Sequence, residues 1–244
     1  MFPLLILALA YTTLWYFLSL FVRRADIMDI AWGIGFVVLV WIWHSFFTPQ
    51  IFLFLVLLTV HQLRLSLYIL WRMQGKPEDK RYAAWRNEWG KTFWWRSYLQ
   101  IFILQGIIMA IVLGSLITNV PSTISPFLQV FGGGLWLYGA IYEVLGDWQL
   151  LRFKTNAQNK GKVLKTGVWG RTRHPNYWGE CCLWWSYWLL LGAPLIGIVA
   201  PVLMTFLLLK VSGVAMTERT MKQAPKYIEY QKNVPPFAPT KHFF

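Results

Sequence analysis

The sequence predicts an all-α integral membrane protein of about seven transmembrane helices, N-out and C-in. Three observations lead there. The 244-residue chain is 57% hydrophobic and only 14% charged, whereas a soluble domain carries about 25% charged residues. Its apolar residues run in long uncharged stretches, and about 20 such residues cross a hydrocarbon core as a helix. Between the stretches, basic loops alternate with uncharged ones, as cytoplasmic loops alternate with external ones.

The first span, 1–22, is followed rather than preceded by its charges, Arg23 and Arg24. It reads as a membrane helix that starts outside, not as a cleaved signal peptide. The second span, 29–47, opens in "ADIMDIAWGIGF", where Asp26 suits a helix start and Asp29 lies one turn further in, able to face a cavity. The uncharged "FTPQ" at 47–50 leads to the third span, 51–73. Residues 75–90, "GKPEDKRYAAWRNEWG", read as an interfacial loop with a short amphipathic helix. A solvated charge run is its plainest role, with Tyr82 able to lean over a membrane pocket.

The fourth span, 99–118, and the fifth, 126–152, flank the uncharged "NVPSTIS". The sixth, 176–191, is short, and the seventh, 195–214, follows a break punctuated by Gly192 and Pro194. Segments 72–96 and 152–173 each hold seven Lys or Arg. The net charge of +13 therefore reflects topology, and no nucleic-acid partner is expected. The localisation expected is an inner, cytoplasmic bacterial membrane. No repeat or linker divides the chain, which reads as one transmembrane domain over 1–244. Cys181 and Cys182 are adjacent and lack metal-ligand spacing, so they read as buried thiols, with no metal site.

Polar residues inside spans narrow the function, because a charge near the bilayer centre costs at least ~2.5–3.5 kcal/mol. In "LLTVHQLRLSLYILWR", His61, Arg64 and Tyr68 fall on one helical face, with Gln62 directed elsewhere. They line a pocket, or Arg64 snorkels or pairs with a carboxylate. Glu143 and Asp147 are spaced i,i+4 near the inner end of the fifth span, with Lys154 on the same stripe. An ion pair with Arg152, Lys154 or Arg64 is the structural reading of these two.

The densest polar stretch is "GRTRHPNYWGE", 170–180. Pro175 suits the first turn of a helix, so Arg171, Arg173 and His174 stand beside the amino end of the sixth span. Free N–H groups and the helix dipole favour an anion there, above all a phosphate. Asn176 and Glu180 lie one turn apart, and Tyr177 can stack or hydrogen-bond. The upstream "KTNAQNKGKVLKTG" adds Lys154, Lys160, Lys162 and Lys165.

"TGVWGRTRHPNYWGE", with "GDWQLLRFK" before it, resembles the C-terminal half of the steroid 5α-reductase-like membrane proteins, in particular their bacterial branch. The resemblance is strongest over 140–240. A related "RHPxYxG" pattern occurs in isoprenylcysteine carboxyl methyltransferases of the same architecture. The resemblance implies substrate-side helices over 1–118 and a cytoplasmic cofactor site within 126–244. Matching cofactor-binding positions are Asp147, Lys154, Asn176, Tyr177, Glu180, Glu218 and Tyr230, the last two in a tail that closes over the cofactor. Arg171, Arg173 and His174 join this set as phosphate partners. The Gln-Glu pair with which steroid reductases polarise an enone is not found. Asp29, His61, Arg64 and Tyr82 are the catalytic candidates in its place.

The leading expectation is an NADPH-dependent reductase of a C=C bond in an enone-type, steroid-like or other lipophilic substrate, embedded among membrane lipids. The protein would orient the nicotinamide and the cofactor would carry the hydride chemistry. An SAM-dependent methyltransferase is the alternative, and a non-catalytic lipid-binding protein the second. Three phosphate groups on NADPH call for the cluster from Arg152 to Arg173 more than the sulfonium of SAM does.

Overall fold

The computed structural model describes residues 2–47, 51–221 and 225–239. Every element among them is helical. The chain divides into two compact units, Met1–Thr123 and Ile124–Phe244, meeting in the uncharged 119–125 segment. The "FTPQ" stretch, apart from Phe47, lies outside the described residues.

The first unit contains α1 (Phe2–Val22), α2 (Ile27–Phe47), α3 (Phe52–Met73), α4 (Lys80–Trp89), α5 (Phe93–Ser97) and α6 (Leu104–Ile117), with a π-helical turn at Tyr98–Ile103 joining the last two. Because α1 is apolar all round, hydrophobicity alone does not choose its packed face. Leu4, Ala8, Thr12, Tyr16 and Ser19 are buried at helical spacing, and several are small. Where lipid is as apolar as leucine, small residues that let backbones approach decide the contact. A Cβ on Gly106 would stand 2.7 Å from Thr12 Oγ1, and one on Gly33 would stand 2.7 Å from the Gln62 carbonyl. Tyr11 donates to the Ala31 carbonyl at 2.8 Å and ties α1 to α2. Gln62 is itself fully buried. The bare Gly33 leaves room for it against α2.

The second unit contains α7 (Pro126–Thr155), α8 (Pro175–Leu190), α9 (Val199–Phe206), a π-helical turn at Leu207–Val211, α10 (Val214–Met221) and α11 (Pro225–Asn233). Proline opens α7 and α8, where its missing N–H costs nothing. The two helices run antiparallel along glycines seven residues apart. Cβ atoms on Gly132, Gly139 and Gly146 would meet Leu190, Gly179 with Cys182, and Asn176 respectively.

Five helical segments among the described residues are long and apolar enough to cross a membrane: Phe2–Val22, Ile27–His44, Phe52–Met73, Lys80–Ile117 and Ile196–Arg219. α8, with 16 residues, is short for a span. The C-terminal half of α7 carries Glu143, Asp147, Arg152 and Lys154, which lowers its apolarity. The protein is a helical membrane protein.

Candidate functional site

Two polar constellations stand out, one in each unit. In the first, the loop between α1 and α2 meets the start of α4. Arg24 grips Asp26 through Nε at 3.0 Å and Nη2 at 2.8 Å, and it also donates to the Lys76 and Pro77 carbonyls. Asp26 accepts from the Asp79 amide at 2.8 Å, and Glu78 accepts from the Ala25 amide at 2.6 Å. Arg86 holds Glu78 bidentately, both bonds at 2.9 Å. Asp79 caps α4 by accepting from the Arg81 amide at 2.9 Å. Burial alone would raise the pKa of Asp79, but the amide, hydrogen bond and charge of Arg81 hold it below the usual value. The solvated charge run expected at 75–90 is instead a network, because these charges fold back onto the 24–29 loop.

That network brings together two catalytic candidates 53 residues apart. Tyr82 donates to Asp29 Oδ1 at 2.5 Å, and Arg81 donates to Asp29 Oδ2 at 2.6 Å. Tyr82 is 2% exposed, beside an aromatic cluster of Tyr16, Phe93 and Phe102. Any further acceptor must therefore compete with Asp29 for the Tyr82 proton. The other two candidates lie on α3. His61 is buried with Nδ1 3.1 Å from the Gln62 amide nitrogen, and Arg64 is half-buried. Tyr68, on their expected face, stacks on Trp71 and lies under Arg72.

The second constellation centres on Glu218 of α10. Its Oε1 accepts from His174 Nε2 at 2.9 Å and from the Tyr227 hydroxyl at 2.9 Å. The Gln231 amide donates to Oε2. Arg173 Nε approaches Oε1 at 3.0 Å, an ion pair without hydrogen-bond alignment. Arg173 also donates to the Gln231 carbonyl at 2.9 Å, and its amide donates to the Pro235 carbonyl at 2.9 Å. The tail is thus laced to the loop entering α8. The Tyr177 ring stacks on His174 at 5.6 Å, and a Cβ on Gly213 would lie 3.2 Å from it. Burial lowers the pKa of His174 from its ordinary value, against the opposing pull of Glu218. Burial also raises the Tyr227 and Tyr230 phenols, with the Glu218 charge adding at Tyr227.

Of the residues predicted to bind cofactor, Arg173, His174, Tyr177 and Glu218 are brought together here. Arg173 is 8% exposed and meets a carboxylate, so its surroundings are those of a tail anchor. Asn176 faces Asp147 Oδ1 at a long 3.5 Å. Glu180 is buried and accepts from Trp184 at 2.8 Å. Tyr230 donates to the Trp169 carbonyl at 2.5 Å, and Trp169 donates to the Gly146 carbonyl at 3.0 Å. Lys154 and Arg171 are exposed, as are Arg152, Lys160, Lys162 and Lys165. Sequence reasoning missed Tyr227 and Gln231, whose i,i+4 spacing on one face of α11 was the available signal. It also missed Arg81, next to Tyr82.

The family profile described as "Protein of unknown function (DUF1295)" matches residues 15–234. The chain belongs to the DUF1295 family. That match spans both constellations and leaves their chemistry unassigned. No curated protein and no solved structure matches the chain.

Proposed function

We propose that this DUF1295 protein is an NADPH-dependent membrane reductase acting on a C=C bond of a lipophilic, enone-type substrate. The observation that carries the reading is the set of exposed cations in the second unit. Arg152, Lys154, Lys160, Lys162, Lys165 and Arg171 all lie at the surface in the stretch that leads to the α8 entrance. Three phosphate groups need such a set, and the sulfonium of SAM does not. The donor chemistry thus fits the dinucleotide. Arg171 with the lysines would hold its phosphates, and Asn176 and Asp147 would bind its neutral polar groups. Arg173, His174 and Glu218 hold the tail in position rather than meeting phosphate themselves.

When bound, NADPH supplies the hydride. The chain's own part is to bind and orient it, exclude water with the tail, and stabilise charge on the substrate oxygen. Tyr82 is the donor assigned to that oxygen, held by Asp29, while Arg81 fixes the carboxylate. His61 and Arg64 are the remaining candidates for lining the substrate pocket. The seven-span, N-out/C-in arrangement in a bacterial inner membrane belongs to the same reading.

The test is cofactor affinity by calorimetry in detergent at two salt concentrations. NADPH should bind, weaken with salt because phosphate attraction is screened, and lose roughly ten- to a hundred-fold in Arg171→Gln. SAM binding that is indifferent to salt, with no NADPH binding, would replace this reading with the methyltransferase.

A further inference from the structure

The first unit holds a cavity of about 210 Å³ where α1 ends, lined by Ser19, Leu20, Arg23, Arg86, Phe93 and Ser97 among others. With roughly 30 Å³ per liquid water, it has room for a phosphate and a small polyol. Its two arginines differ. Arg86 is neutralised by its bidentate bond to Glu78 and lies over the Phe93 ring at 4.0 Å. Arg23 is exposed, and no hydrogen bond or ion pair engages it among the described residues. The cavity therefore carries an uncompensated positive charge.

Its hydroxyls are equally informative. Ser19 donates to the Tyr16 carbonyl at 2.6 Å, and Ser97 donates to the Trp94 carbonyl at 3.0 Å. With their protons spent on the backbone, both oxygens offer only lone pairs. They suit a ligand that brings hydroxyl donors alongside its negative charge. The surroundings identify where such a ligand would come from. Phe17 and Phe21 stand one turn apart on the outer face of α1, Phe21 at 86% exposure, and Trp94 on the cavity wall is 62% exposed. In a membrane helix this stripe faces acyl chains. It ends at Arg23, where a headgroup would begin, and tryptophan favours that depth.

We infer that this cavity binds the headgroup of an anionic, hydroxyl-bearing phospholipid of the phosphatidylglycerol type. Its phosphate would meet Arg23, and its glycerol hydroxyls would donate to Ser19 and Ser97. An ammonium headgroup is disfavoured by the uncompensated Arg23 guanidinium. The inference is independent of the reductase reading, since every residue in it belongs to the first unit and none to the cofactor set.

The test uses the full chain in nanodiscs of phosphatidylcholine containing phosphatidylglycerol, phosphatidylserine or phosphatidylethanolamine, with retained lipid counted by native mass spectrometry. One phosphatidylglycerol should remain per chain, in preference to the other three. Arg23 has φ +56°, a conformation glycine adopts freely, so Arg23→Gly should fold with an unchanged or higher Tm. It should retain phosphatidylglycerol roughly tenfold less or worse. A second variant, Ser97→Ala, should narrow the preference over phosphatidylserine. Equal retention by Arg23→Gly and wild type would overturn the proposal. So would equal retention of all four lipids, or displacement of the lipid by free glycerol phosphate at equal concentration, which would make the site one for a soluble phosphate.

Discussion

Replacing Glu218 with glutamine keeps the side chain's shape and deletes its charge. The carboxylate now serves His174, Tyr227, Gln231 and Arg173 together. Removing one partner of a buried ion pair costs about 3–5 kcal/mol. Glu218 keeps 13% side-chain exposure and Arg173 keeps the Gln231 carbonyl, so the lower end applies, about 3 kcal/mol. The new amide NH₂ would also face donors on every side. At about 2–4 °C per kcal/mol for a chain of this size, Tm should fall by about 6–12 °C in detergent. Limited proteolysis should then cut within 214–237 first, because that segment loses its anchor. A double-mutant cycle with Arg173→Gln isolates the pair, and a coupling of about 0.5–3 kcal/mol is expected. A Tm within about 1 °C of wild type, or strictly additive effects, would refute the assignment of Glu218 as the tail anchor.

The His174 pKa is lowered from its ordinary 6.5 by burial, so the folded state binds fewer protons than the unfolded one near that pH. Its contribution is fully present above pH 6.5 and is lost as pH falls through the lower folded value; Tm measured at pH 7.5 and 5.5 should drop on acidification, and less so in His174→Gln. A Cβ on Gly179 would stand 2.5 Å from the Gly139 carbonyl, so Gly179→Ala should destabilise by about 1–3 kcal/mol or more. Gly133 has open space around its added Cβ, and Gly133→Ala should be neutral or stabilise by up to ~1 kcal/mol, with both read as Tm shifts.

Long apolar runs and proline-opened helices were legible in the sequence because each is a local signal. The start of α8 at Pro175 and the short helix α4 came from the same kind of evidence. The partners of the charges were not legible. Asp29 and Tyr82 were each singled out, but their bond spans 53 residues, and no spacing rule reaches that far. The burial of Gln62 was not legible either, because a helical wheel gives faces and not the glycine on the neighbouring helix that admits a side chain. Arg173 read as a phosphate ligand because the carboxylate that meets it arrives from 45 residues downstream. Helix boundaries along Lys80–Ile117 blurred because the apolar run continues through a π-helical turn.

If the second unit holds a dinucleotide, that nucleotide should leave the membrane with the protein. After gentle detergent extraction, native mass spectrometry should find NADPH or its oxidised form bound one per chain, and lost in Arg171→Gln combined with Asn176→Ala. SAM or its demethylated product in its place, or a chain that carries no nucleotide and binds none when NADPH is added, would contradict it.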